Sequence, residues 1–179
     1  VGPTVTHGSA MTIRRSVDVV TRYVFDPTTM PQWSGVLYEI EPVADLEPRR
    51  GRRLRANLKI LGVCLTVEGE LVDVNLAARQ AAVRIVPVSG GGSIEHRLSV
   101  DGSSNRSLVH FWNRVEAPGW LSGTVSDRLL YRFLDHTASF ALANIRDILE
   151  LGEEEAVGRL GAIATREVPA PQRFGTGSG

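Results

Sequence analysis

From Leu121 to Leu151 the chain contains no proline, and after Gly123 it contains no glycine until Gly152. About thirty residues without a helix breaker, at roughly 1.5 Å each, predict a helix on the order of 45 Å long. Ser126 or Thr124 can cap its start, and Gly152 can end it. Nothing upstream offers a helix of that length. Thr12 to Asp18 alternates and reads as a first strand; Val19 to Phe25 reads as a short helix stopped by Asp26-Pro27, and Thr28 to Trp33 as a second. Strand-like runs follow at Val36–Val43, Arg53–Leu61, Val63–Val74, Gln80–Val88, Ser93–Val100 and Leu108–Ala117. They are too close together to hold crossover helices, so the sheet is expected to be antiparallel. The helix that follows is long enough to cross an entire curved sheet.

The ends read differently. Residues 1–10 are small and polar and are expected to form a flexible leader. Residues 152–179, with Glu153–Glu155 and a Gly-Thr-Gly-Ser-Gly end, are expected to form a flexible tail. The folded unit is expected over residues 11–151. The full chain's 42% hydrophobic and 22% charged residues are those of a globular protein whose core needs no staples. Cys64 is the single cysteine, which excludes an intrachain disulfide and a thiolate metal cage. Twenty basic residues balance twenty acidic ones, so no overall positive field favours nucleic acid. No apolar run is long enough to span a bilayer, and the reading is a cytoplasmic domain.

On a helical wheel, one stripe of the long helix collects Leu129, Leu130, Phe133, Leu134, Phe140, Ala141, Ile145 and Ile148. Arg128, Arg132, Asp135, Ser139 and Arg146 lie opposite. Ser126, Thr137 and Asn144 interrupt the stripe. Either Thr137 back-bonds to its own helix and Asn144 satisfies a buried partner, or the face lines a cavity in which a few polar groups orient a greasy ligand. Two strands carry similar interruptions. His96 shares the inward parity of Ile94, Leu98 and Val100, and Asn113 that of Val109, Phe111 and Val115. His110 and Arg114 have the outward parity. So have Arg53, Arg55, Asn57 and Lys59.

This order of elements resembles the START-like, or polyketide cyclase/dehydrase (SRPBCC), superfamily and its helix-grip fold. The opening Ser16 to Trp33 is similar to the family's, with its short helix, Asp26, and then Pro31 and Trp33 just before the second strand. The closing stretch Leu129 to Leu149 is similar to its final helix. The resemblance implies an α+β fold in which a seven-stranded curved antiparallel sheet wraps a long C-terminal helix. It also implies a deep cavity between the two. Members bind lipids, sterols, hormones, polyketides or quinones, and some cyclise and dehydrate poly-β-ketone chains. The expected function is therefore binding of a hydrophobic or aromatic, polyketide-like molecule. The alternatives are a polyketide aromatase/cyclase and a lipid or quinone chaperone. Wall residues expected on this view are Trp33, Tyr38, Phe111, Trp120, Leu130, Phe133, Thr137, Phe140 and Asn144.

A cyclase has to move protons beside a carbonyl whose enolate it stabilises. Candidate acid–base groups are His96, His110, Tyr38 and His136; candidate anchors are Asn113, Asn144, Thr137 and an arginine such as Arg84 or Arg114. His96 and Asn113 are the pair expected to be catalytic. No cofactor and no metal are called for. The four histidines lack metal-ligand spacing, and Gly90-Gly91-Gly92 lacks the lysine of a phosphate loop. The one dense basic run, Arg49 to Arg55, is either a solvated hairpin or a docking patch for an acyl carrier protein or an anionic membrane surface.

Overall fold

The computed structural model describes residues 4–41, 49–60, 63–88, 91–116 and 126–152. In chain order these form β1 (Thr4–Ile13), α1 (Val17–Phe25), α2 (Met30–Trp33), β2 (Leu37–Ile40), β3 (Arg53–Ile60), β4 (Val63–Asn75), β5 (Gln80–Pro87), β6 (Ser93–Gly102), β7 (Ser107–Glu116) and α3 (Asp127–Leu151). The strands make one seven-stranded antiparallel sheet in the order β1-β7-β6-β5-β4-β3-β2. From β2 to β7 each strand pairs with the next in sequence. β1 lies at the far edge, so α1 and α2 carry the chain from one edge of the sheet to the other. The architecture is the α+β helix-grip fold.

Strand alternation decides what faces the helix. In β7, Ser107, Val109, Phe111, Asn113 and Val115 are buried while their alternates are exposed or half-buried. β1 pairs with β7 along its whole length, from Thr4 opposite Glu116 to Ile13 opposite Ser107. This corrects the expectation of a leader over residues 1–10. Thr4 to Ala10 belong to a strand, and Val5 and His7 alternate inward like Ile13. Val17 and Asp18, expected to finish that strand, instead open α1, where the Ser16 hydroxyl accepts from the Val19 amide. Buried Ser107 fixes the junction by donating to the Arg15 carbonyl at 2.8 Å.

At the other end, Ser126 caps α3 through the Leu129 amide, and Gly152 closes it at φ 95°. Thr124, the alternative cap, lies outside the described residues. So do Trp120, Leu121 and residues 153–179. α3 packs chiefly along β1, touches β7 and meets α2. Its buried face holds Leu134, Ala138, Ala141, Leu142, Asn144 and Ile145. Leu129, placed in the apolar stripe, stands in the first turn and is exposed. The main core joins Ile13, Val20, Val24, Trp33, Val100, Val109, Leu142 and Ile145. A smaller cluster at the start of α3 joins Val5, Val115 and Leu134.

Gly35 lets the chain turn from α2 into β2 beneath the helix. Its φ is +71°, and a Cβ there would lie 2.6 Å from the Phe140 ring. Gly35→Ala thus combines left-handed backbone strain with overpacking against an aromatic side chain. Urea denaturation should show the variant destabilised by about 1–3 kcal/mol, whereas Gly51→Ala, with open space around its Cβ, should lose only the backbone part.

Candidate functional site

The helix and the sheet do not meet everywhere. Along β3, β4 and β5 the concave face carries Leu54, Ala56, Leu58, Val67, Leu71, Val83 and Ile85, with no comparable packing of α3 against those strands. The result is a partly enclosed cavity of about 160 Å³. α1 and α2 close one side with Val24, Phe25, Met30 and Trp33; α3 contributes Phe133, Leu134, Thr137 and Ala141; β6 and β7 contribute Ile94, His96, Leu98 and Phe111. A register shift between Leu71 and Asp73 bends β4 and adds to the curvature of the sheet.

Polar residues on this wall are few: Ser34, Arg52, His96 and Thr137. The Ser34 hydroxyl accepts from the Leu37 amide at 3.2 Å. The Thr137 hydroxyl donates to the Phe133 and Leu134 carbonyls at 3.0 and 3.1 Å. Thr137 therefore does both things the sequence left open: it back-bonds to its helix and lines the cavity. His96 is held differently. Its Nδ1 is hydrogen-bonded to Oδ1 of Asn113, the residue opposite it on β7, and its ring stacks on Phe111 with centroids 5.5 Å apart. The accessible side of His96 is cavity surface, so protein still surrounds the ring. That desolvation lowers its pKa below the usual histidine range; the hydrogen bond to Asn113 opposes the shift but does not overcome it. At neutral pH the ring is uncharged, with one nitrogen committed to Asn113.

Of the residues expected on the wall, Trp33, Phe111, Phe133 and Thr137 are there, together with His96. Tyr38, Leu130, Phe140 and Asn144 are elsewhere. Tyr38 is 51% exposed, beside the exposed thiol of Cys64; its neighbours Leu37 and Ile40 line the cavity instead, across a register shift in β2. Leu130 packs on the cluster of Val5, Val115 and Leu134. Phe140 lies over Gly35. Asn144 is buried and donates to the Trp33 carbonyl at 3.3 Å, so it anchors α2 rather than a ligand. Asn113 is buried behind His96. Trp120 lies outside the described residues.

Neither His110 nor His136 reaches the cavity. His110 is exposed and 3.8 Å from Asp101; His136 is exposed beside Phe140. Arg84 and Arg114 face outward against Glu95 and Glu116. Arg52 does reach the wall, and sequence reasoning missed it by treating residues 49–55 as one basic run. The usable signal was its parity with Leu54, Ala56 and Leu58. Arg53 and Arg55 face outward and pair loosely with Glu70 and Glu41.

No family model matches the chain, and no curated protein matches it in sequence. Solved structures do match. An aromatase/cyclase from Streptomyces is 15% identical, covering 88% of this chain and 96% of its own, at a TM-score of 0.63. A conserved protein from Geobacillus kaustophilus is 12% identical over 86% of this chain and 96% of its own, at 0.65. The ginseng (Panax ginseng) major latex-like protein 151 is 18% identical over 79% and 97%, at 0.58. The likeness extends over most of the chain, and at these identities it is one of fold.

The neutral state of His96 has a consequence for stability. Its folded pKa lies below the unfolded value near 6.5, so between the two the unfolded chain binds a proton that the folded chain refuses. Stability should therefore be complete above about pH 6.5 and fall as pH drops, by up to about 1.4 kcal/mol per unit, until the folded pKa is reached. Urea midpoints across that window, compared with His96→Gln, should show the slope in the natural chain and its loss in the variant.

Proposed function

We propose that the chain binds a small hydrophobic or aromatic, polyketide-like molecule in the cavity between β3–β7 and α3. The observation that carries this reading is the cavity itself: a mainly apolar wall on which the polar residues are Ser34, Arg52, Thr137 and an uncharged imidazole, His96. Its 160 Å³ is close to that of a cavity of about 150 Å³ known to take up benzene. One ring fits as the cavity stands, and a larger ligand extends through its open side. Trp33, Phe111, Phe133 and Thr137 contact it, His96 is its polar anchor, and Asn113 holds His96.

The geometry of His96 also favours a second reading, an aromatase/cyclase. A neutral imidazole oriented by an amide behind it can take a proton from an activated methylene and return it to a developing hydroxyl. Asn113 would then act by positioning the base. The lipid or quinone chaperone reading has less support, since Arg53 and Arg55 already face carboxylates and Arg52 turns to the cavity. The same holds for a carrier protein or membrane surface docking on residues 49–55. Among the described residues no helix is long and apolar enough to cross a membrane.

Native mass spectrometry of the protein from its own source should reveal a retained apolar or aromatic compound. A fluorescent apolar probe should bind the emptied protein at one site, and Ala56→Phe, which puts a ring into the cavity, should weaken that binding at least about tenfold. An empty protein that takes up no apolar probe overturns the reading. His96→Ala separates the two chemistries: a binder changes affinity a few-fold, whereas a cyclase loses turnover while still binding.

A further inference from the structure

Three polar side chains stand in a row across the sheet. His7 of β1 is paired in register with Asn113 of β7, and Asn113 with His96 of β6. Directly opposed residues on antiparallel neighbours share a face, with Cβ atoms about 5 Å apart. His7 is 3% exposed and Asn113 1%. At the outer end, His7 Nε2 lies 3.0 Å from the carboxylate of Asp135 on α3, whose side chain is 60% exposed. At the inner end, His96 bonds Asn113 and borders the cavity. Between them, His7 Nδ1 and Asn113 Nδ2 are buried and meet no hydrogen-bond partner among the described residues. One can accept and the other must donate. They stand at one register position on adjacent strands, a spacing that one bridging water can span.

We infer that Asp135, His7, Asn113 and His96 form a single directional hydrogen-bond row that presents a lone pair on His96 Nε2 to the cavity. The direction follows from the outer end. An ionised carboxylate only accepts, so His7 Nε2 donates to Asp135. In the neutral ring, His7 Nδ1 then carries the lone pair and accepts from Asn113 Nδ2. The amide is thereby turned with Oδ1 toward His96 and accepts from its Nδ1–H, and Nε2 of His96 is left as an acceptor. Ring contacts hold both imidazole planes, Tyr131 edge-on to His7 at 5.2 Å and Phe111 against His96. His7 and Asp135 are thus positioning residues. The row selects, within the aromatic-binding reading on which this step rests, ligands that bring a hydroxyl donor: a phenol or an enol.

Nitrogen NMR of the imidazoles in the full chain without ligand tests the row directly. In the natural chain His96 should be protonated on Nδ1 and bare on Nε2. Asp135→Lys puts a donor at the exposed end, so His7 must accept there, the amide must turn over, and His96 should become protonated mainly on Nε2. Asp135→Leu imposes no direction and should leave a mixture. Position 135 is exposed, so both variants keep the fold. Protonated Nε2 in the natural chain, or a tautomer unmoved by both variants, overturns the row.

Calorimetry with p-cresol and its methyl ether tests the ligand class. The natural chain should prefer the cresol about tenfold, and Asp135→Lys should erase most of that preference. Equal binding of the two compounds with the expected tautomer overturns the hydroxyl preference alone. Failure of both to bind overturns the aromatic-binding reading, while the tautomer result still decides the row.

Discussion

A straight helix cannot follow a curled sheet, and that mismatch organises this molecule. α3 meets the sheet along β1 and β7, where Leu134, Ala138, Leu142 and Ile145 are buried. Beyond that line the sheet bends away, and the apolar faces of β3, β4 and β5 receive no comparable packing from α3. Were nothing else present, the apolar side chains there would face water, at a cost of about 25 cal/mol per Å². α1 and α2 prevent this by bringing Val24, Met30 and Trp33 over the gap. Trp33 is held from two sides: its indole donates to Thr29, and its carbonyl accepts from Asn144 of α3. The cavity is what remains between three packing surfaces that cannot all touch.

This explains which parts were legible in the sequence. α3 and strands β3 to β7 announce themselves through breakers and periodicity, both local properties. The inward positions of His96 and Asn113 followed from strand parity alone. β1 was legible only in half. Gly8, Ser9 and Ala10 have no strand propensity to speak of, and Thr4 to Ala10 become a strand because β7 offers a full ladder of partners. Pairing of that kind is a tertiary fact, and it hid His7 from sequence reasoning.

The wall residues show a second limit. A helical wheel gives the direction of a side chain from its own axis, but not what stands opposite. Leu130, Thr137 and Asn144 all lie near one stripe of α3. One faces the Val5–Val115 cluster, one the cavity and one the backbone of α2. Tyr38 was misplaced for a related reason: β2 is four residues long and shifts register within itself, so parity counted along the sequence does not carry through. Arg52 was hidden by its neighbours, since a basic run reads as solvent-facing unless alternation is followed through it.

The distribution of polar groups separates scaffold from site. Asn144, Ser107 and Thr29 each satisfy a backbone carbonyl, and each sits where two elements join. Such groups offset the cost of a buried, unpaired carbonyl, about 1–3 kcal/mol. Asn113 and His7 satisfy no backbone group by any side-chain hydrogen bond among the described residues; their side-chain partners are other side chains. Packing gives no reason for them, because valine or leucine at those positions would extend the apolar rows of β1 and β7 without a desolvation cost. A buried amide between two imidazoles is a poor way to build a core. It is an effective way to hold one imidazole, at the cavity wall, in a single orientation.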